Sequence, residues 1–208
     1  MADALDSNKS PLEHLETQAQ LRFIKEVFDA KLPVRLWGGC ADDALLSGRI
    51  LRRHHDVDLA AMRSDMDSIK LAFERLGYVV TEELFGKNDK PYKLLVRGKN
   101  ALADVALFDH DEDDHPIIDI PYSKTGKRYQ ISFDDEMFHP VNSSIEGIPV
   151  ITVSPLALIR SKDAYFQAGV ARSRLKDVTG KTALVTKFFP TENPDSEHFK
   201  LHIRKEKI

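Results

Sequence analysis

A chain of 208 residues with 42% apolar side chains suits one medium domain, or one such domain with a small appendage. Its single cysteine, Cys40, excludes an internal disulfide framework or thiolate metal cluster, and no run of about 18 apolar residues offers a membrane span. The net charge of −3 gives no general pull toward nucleic acid, and MADALDSNKS lacks the basic start and apolar stretch of a signal peptide, so the sequence reads as a cytoplasmic protein.

Ser10-Pro11-Leu12-Glu13 combines a capping box with proline at the first helical position. Leu12, Leu15, Ala19, Phe23 and Val27 follow at helical spacing, which predicts a helix over 11–29. Val34 to Trp37 then reads as a short buried strand running into Gly38-Gly39. Ala41 to Ser47 is a short helix closed by Gly48, followed by a basic loop, Arg49 to Arg53. Asp56 to Met62 is the next strand, and Ser64 caps a helix stopped by Gly77.

Three extended segments come next: Tyr78 to Leu84, Tyr92 to Arg97 and Ala101 to Phe108. Gly86-Lys87-Asn88-Asp89 and Gly98-Lys99-Asn100 carry turn chemistry, so these strands are antiparallel neighbours. Residues 109 to 150 show strand-like pieces at Ile117 to Tyr122, Tyr129 to Phe133 and Val150 to Val153, without a clean period. From Ser154-Pro155 onward the pattern is helical, with Leu156, Leu158 and Ile159 leading one helix and Leu175, Val178, Leu184 and Val185 a second. The charged end, finishing IRKEKI, reads as loosely held. The expected fold is α+β: a mixed sheet flanked by helices over residues 1–150, with a small C-terminal helical region over 151–208.

The chemistry concentrates in LWGGCADDALLSGRILRRHHDVDLAA, Leu36 to Ala61. On a strand, Asp56 and Asp58 share a face while Val57 and Leu59 anchor the opposite one. Two carboxylates that close cost several kcal/mol if buried unpaired, and a divalent cation is the natural counter-charge. The plain alternative is a half-exposed strand with solvated carboxylates. Gly38 and Gly39, lacking Cβ atoms at a helix start, let backbone N–H groups approach a phosphate that the helix dipole also favours. Together these features describe a nucleoside triphosphate site.

A glycine pair, a short helix with Asp43, a basic loop and then His54-x-Asp56-x-Asp58 resembles the nucleotidyltransferases of the DNA polymerase β superfamily. It is most similar to the small branch that includes the aminoglycoside and lincosamide adenylyltransferases. The resemblance spans roughly 34 to 108 and implies a polymerase β-like sheet with a third carboxylate on a later strand. Asp104, inside the apolar run NALADVALFD, is our assignment for it, with Asp109 as the fallback. It further implies Mg²⁺-dependent, two-metal, in-line displacement at an α-phosphorus with release of pyrophosphate. Asp56, Asp58 and Asp104 would be catalytic and metal-binding, and Gly38, Gly39, Asp43, Arg49, Arg52 and Lys176 would hold the nucleotide.

Several of these residues also have bland readings. Arg49, Arg52 and Arg53 equally describe a solvated basic loop. His54 and His55 could ligate metal, although in the family a histidine here mainly shapes the loop. Lys176-Asp177 and Lys162-Asp163 each match a helical Lys-Asp pair of related enzymes, Lys176 with the better spacing. Cys40 stands where many members carry tryptophan, so the shape of that wall is open. Asp109 to Asp114, DHDEDD, is a solvated acidic loop or an attractor for a cationic acceptor.

The activity implied is transfer of a nucleoside monophosphate, AMP from ATP foremost, to a hydroxyl of a small molecule such as an antibiotic. The alternatives are a toxin-like transferase acting on tRNA or protein, for which Arg172, Arg174, Lys176 and Lys181 would begin a basic surface, and a catalytically inactive nucleotide-binding relative. Membrane partners are not expected and nucleic acid is disfavoured; nothing in the sequence fixes the oligomeric state.

Overall fold

The helical period over residues 11 to 29 folds as one helix, α1 (Pro11–Asp29), which turns Phe23, Ile24 and Val27 into the core. The structure is a computed structural model describing residues 11–84, 90–122, 127–167 and 175–207. After α1 come β1 (Arg35–Leu36), α2 (Gly38–Leu46), β2 (Val57–Met62), α3 (Met66–Arg75), β3 (Val79–Leu84), β4 (Pro91–Gly98) and β5 (Ala101–His110). The second half holds β6 (Pro116–Tyr122), β7 (Lys127–Ser132), β8 (Val141–Ile145), β9 (Ile148–Thr152), α4 (Pro155–Gln167), α5 (Leu175–Phe188) and β10 (His202–Lys207).

The strands join in the order β10-β7-β6-β5-β2-β1-β9-β8, with β4 also pairing β5 and β3 pairing β4. β2 and β5 run parallel, as do β1 and β9; the remaining pairs are antiparallel. This is the expected α+β architecture of a mixed sheet with flanking helices. Phe23 stacks on Phe73 of α3 at 5.8 Å and meets the edge of Tyr78 at 5.1 Å, which locks α1 to α3. Leu156, Leu158 and Ile159 of α4 and Leu184 and Val185 of α5 bury themselves in the same core as β2 and β5.

Two local expectations are corrected. α2 begins at Gly38, not at Cys40 or Ala41, so the glycine pair is the first turn of the helix and not a turn before it. The chain leaving β1 is pulled over β2 by a bond from the Trp37 N–H to the Asp58 carbonyl (2.9 Å), and this contact outweighs the poor helix propensity of glycine. The chain end is not loose: β10 pairs antiparallel with β7 from His202 to Lys207. Charged side chains did not prevent this, because the edge of β7 offers unpaired backbone groups to any extended segment. The turn read at Gly86 to Asp89 lies outside the described residues.

Candidate active site

Parallel pairing of β2 with β5 places Asp58 directly opposite Asp104. Asp56 stands one residue before β2, and carboxylate oxygens of Asp56, Asp58 and Asp104 lie within 4.8 Å of one another. All three line one cleft of about 370 Å³, together with Gly38, Gly39, Arg52, His54, Lys93, Lys162 and Lys176. Burial, then the Asp56 and Asp104 charges, push the Asp58 carboxyl up to about 7 against the pull of Lys162 and Lys176. A cluster whose central carboxyl resists ionisation for these reasons fits a divalent cation. The donor set is all oxygen, which suits a hard ion.

The glycines are required by contact as well as by conformation. Gly38 has φ +61°, and a Cβ there would fall 2.0 Å from Asp58 Oδ2. A Cβ on Gly39 would fall 2.2 Å from Arg52 Nη2 and 2.5 Å from the His54 ring. The N-cap, Trp37, makes no side-chain capping bond, and the first turn of α2 carries no acidic residue. The first turn of α2, at Gly38 and Gly39, lines the cleft beside Arg52 and His54, where the start of a helix favours an anion.

Two of the anticipated nucleotide residues do not line the cleft. Asp43 is buried, and its Oδ2 lies 2.8 Å from His54 Nε2 and accepts the Leu51 N–H at 2.9 Å. It shapes the basic loop and orients His54, while Gln20 of α1 donates to the His54 carbonyl at 2.6 Å. Arg49 points to solvent, outside the cleft lining. Asp109, the fallback carboxylate, pairs with Arg63 at 2.8 Å and also lies outside the cleft. Cys40 is inert packing, its thiol driven far up by burial and by the nearby Asp58 and Asp43.

Two lysines carry more of the site than the sequence reading gave them. Lys162, from α4, lines the cleft and pairs with the buried Asp42 of α2; Gly180 of α5 lies over the pair, where a Cβ would sit 3.3 Å from Asp42 Oδ2. Burial raises the Asp42 carboxyl, and Lys162 opposes that. The Lys162-Asp163 dipeptide was the available signal. Lys93 of β4 lies 2.9 Å from Asp104 and 3.2 Å from Glu83, whose carboxylate also accepts the Tyr92 hydroxyl at 2.8 Å. Burial alone would lower the Lys93 ammonium, and the Asp104 and Glu83 carboxylates more than offset it. A lysine in an apolar strand next to the carboxylate strand was its only sequence trace.

A mixed sheet that lays three carboxylates beside an uncapped, glycine-started helix defines a nucleotidyltransferase. The family model of aminoglycoside-2''-adenylyltransferase matches residues 20–154, and the chain belongs to that family of enzymes. Among solved structures it is similar to ANT(2'')-Ia in complex with adenylyl-2''-tobramycin, at 24% identity over 82% of this chain and 89% of that one, with a TM-score of 0.55. It is also similar to the lincomycin-bound lincosamide antibiotic adenylyltransferase LnuA, at 17% identity over 86% and 98% of the two chains, with a TM-score of 0.52. At these identities the likeness establishes the fold. No curated protein sequence matches the chain. Among the described residues no helix is long and apolar enough to cross a membrane.

Proposed function

We propose that the protein transfers AMP from ATP, with Mg²⁺, to a hydroxyl of a small molecule of the aminoglycoside or lincosamide kind. The observation that supports this most directly is the register of β2 and β5, which holds Asp58 and Asp104 side by side under the first turn of α2. Mg²⁺ held by Asp56, Asp58 and Asp104 would neutralise phosphoryl charge and acidify the acceptor hydroxyl. The N–H groups at Gly38 and Gly39, with Arg52, Lys162 and Lys176, take up the charge of the triphosphate tail. Asp43 acts at one remove, by holding His54 and the loop that carries Arg52.

The acceptor oxygen forms a bond to the α-phosphorus as the bond to the β-phosphate bridge breaks. The hydroxyl proton passes to Asp104, and pyrophosphate leaves toward α2. Lys93 bonds Asp104 Oδ2 and so fixes the direction of the carboxylate, while acidification of the hydroxyl by the cation would supply most of the effect.

Pyrophosphate release from ATP with Mg²⁺ and an acceptor panel tests the proposal. Asp56→Asn and Asp104→Asn should each cut turnover by at least about 10²-fold, and turnover unchanged in either variant would refute it. The tRNA or protein reading has less support: Lys181 is buried against Asp163, and Arg172 and Arg174 lie outside the described residues.

A further inference from the structure

We infer that Glu83, from outside the cleft, sets how tightly the carboxylate cluster holds its cation, by sharing the Lys93 ammonium with Asp104. The inference rests on the nucleotidyltransferase reading above, since it takes Asp56, Asp58 and Asp104 as the ligands of that cation.

The sheet registers put these groups in one row. Glu83 of β3 stands directly opposite Lys93 of β4, and Lys93 stands opposite Ala106 of β5, two residues beyond Asp104. Residues opposite one another share a face, and so do residues two apart on a strand, so Glu83, Lys93 and Asp104 project from the same side of the sheet. Asp104 is in turn paired with Asp58. Charge along the row runs negative, positive, negative, negative, with the ammonium between Glu83 and the cluster. Lys93 Nζ lies 2.9 Å from Asp104 Oδ2 and 3.2 Å from Glu83 Oε2.

A bulge in β4 completes the arrangement. The register shifts between Glu83 and Leu84, which pair with Lys93 and Pro91, and this leaves Tyr92 as the extra residue. On a regular strand Tyr92 would turn away from the face that Lys93 uses. Instead both line the cleft, and the Tyr92 hydroxyl donates to Glu83 Oε2 at 2.8 Å. Bulges beside active sites re-aim side chains in this way. Glu83 itself does not line the cleft. Burial would raise its carboxyl, and the Tyr92 hydroxyl and the Lys93 ammonium more than offset this, so Glu83 stays an anion.

An ammonium 2.9 Å from a ligand oxygen repels a divalent cation held by the same carboxylate. With Glu83 in place the ammonium has a second anion to lean toward as the cation arrives. Without that anion it stays on Asp104 and competes. The two partners therefore act in opposite directions: Lys93 weakens cation binding, and Glu83 restores it. A charge at this separation changes the affinity of a carboxylate for a proton by about ten-fold or more, and affinity for a divalent cation follows the same sense.

Mn²⁺, another ion that carboxylate oxygens suit, is the probe. Its binding to the full-length protein without nucleotide is read from the electron paramagnetic resonance of the free ion, at about pH 8 so that Asp58, at about 7, is ionised. Lys93→Met should tighten Mn²⁺ binding about ten-fold, and Glu83→Gln, which keeps the shape of the side chain and still accepts the Tyr92 hydroxyl, should weaken it about ten-fold. Lys93→Gln carries the same expectation as Lys93→Met if the methionine variant folds poorly. In the double variant the Glu83 effect should shrink to about two-fold or less. Unchanged affinity in either single variant, shifts of the same sign, or an equal Glu83→Gln effect with and without Lys93 would overturn the inference alone. Wild-type protein that binds no Mn²⁺, with or without ATP, would instead refute the reading of the cluster as a cation site, and this inference with it.

Discussion

Gly38→Ala tests whether the glycine start of α2 and the carboxylate cluster are one unit. Alanine at φ +61° costs about 1–2 kcal/mol in backbone strain. For a chain of 208 residues that corresponds to a fall in Tm of roughly 2–8 °C. The new methyl also lands 2.0 Å from Asp58 Oδ2, 2.7 Å from its Cγ and 2.9 Å from its Cβ. Rotation about Cβ–Cγ clears only the oxygen and rotation about Cα–Cβ clears the oxygen and Cγ but not Cβ, so β2 or the turn into α2 must shift. A displacement near 1 Å at a reacting centre is worth about 10² in rate. Thermal melts with and without Mg²⁺, together with pyrophosphate release, read both effects. The variant should fold with a lowered Tm, lose most of its Mg²⁺-dependent stabilisation and fall at least about 10²-fold in turnover. A variant with wild-type Mg²⁺ response and wild-type turnover would show that Gly38 and Asp58 are not coupled, and the reasoning would fail.

The Asp58 carboxyl, about 7 in the folded chain against an ordinary 3.8, keeps a proton between those values that the unfolded chain has released. In EDTA, stability should therefore fall as pH rises from about 4 to 7, and Asp58→Asn should flatten this decline in thermal melts while excess Mg²⁺ reverses it in the wild type. Lys162→Met strands the buried Asp42 and should cost about 3–5 kcal/mol by urea denaturation, less whatever Asp42 regains by protonation; Asp42→Asn with Lys162→Met should recover stability but not nucleotide affinity. Asp43→Ala removes the partner of His54 Nε2 and of the Leu51 N–H, a loss of about 1–3 kcal/mol. Since Asp43 does not line the cleft, that variant should raise the KM for ATP through a loosened Arg52 loop more than it lowers kcat; the reverse split would place Asp43 in the chemistry.

Elements governed by local chemistry were legible in the sequence. The Ser-Pro start and regular apolar spacing delimited α1, and apolar runs located β2 and β5; the pair Asp56 and Asp58 followed from the strand, while the search for a third carboxylate came from the family resemblance and Asp104 was chosen for it by its apolar surroundings. Contacts between distant segments were not legible. Lys162 meets Asp42 across 120 residues, and no periodicity records such a pair. β8 escaped because Asn-Ser-Ser reads as loop, although Val141, Ser143 and Ile145 alternate; it forms because β9 supplies a full antiparallel ladder. β10 escaped for the related reason that its sequence is charged and its stability comes from the edge of β7. Arg49 and Arg52 were indistinguishable in sequence, and only the anchoring of the loop by Asp43 and by Glu146, which accepts the Ile50 N–H at 2.8 Å, turns one to solvent and the other to the cleft.

The C-terminal helices supply the positive charge that opposes protonation of Asp58. Burial and mutual repulsion push Asp58 toward protonation, and the opposing charges come from Lys162 on α4 and Lys176 on α5, not from the strands that carry the carboxylates. Lys162 can play this part because Asp42 of α2 fixes it and Gly180 leaves α5 room to lie over the pair. On the proposed function, one helix would offer its N-terminal N–H groups to the nucleotide and, one turn later, the carboxylate that pairs with a lysine lining the same cleft. A shift of α4 or α5 away from α2 would weaken the phosphate cradle and raise the Asp58 carboxyl further, so the loss of anion binding and the loss of cation binding should appear together.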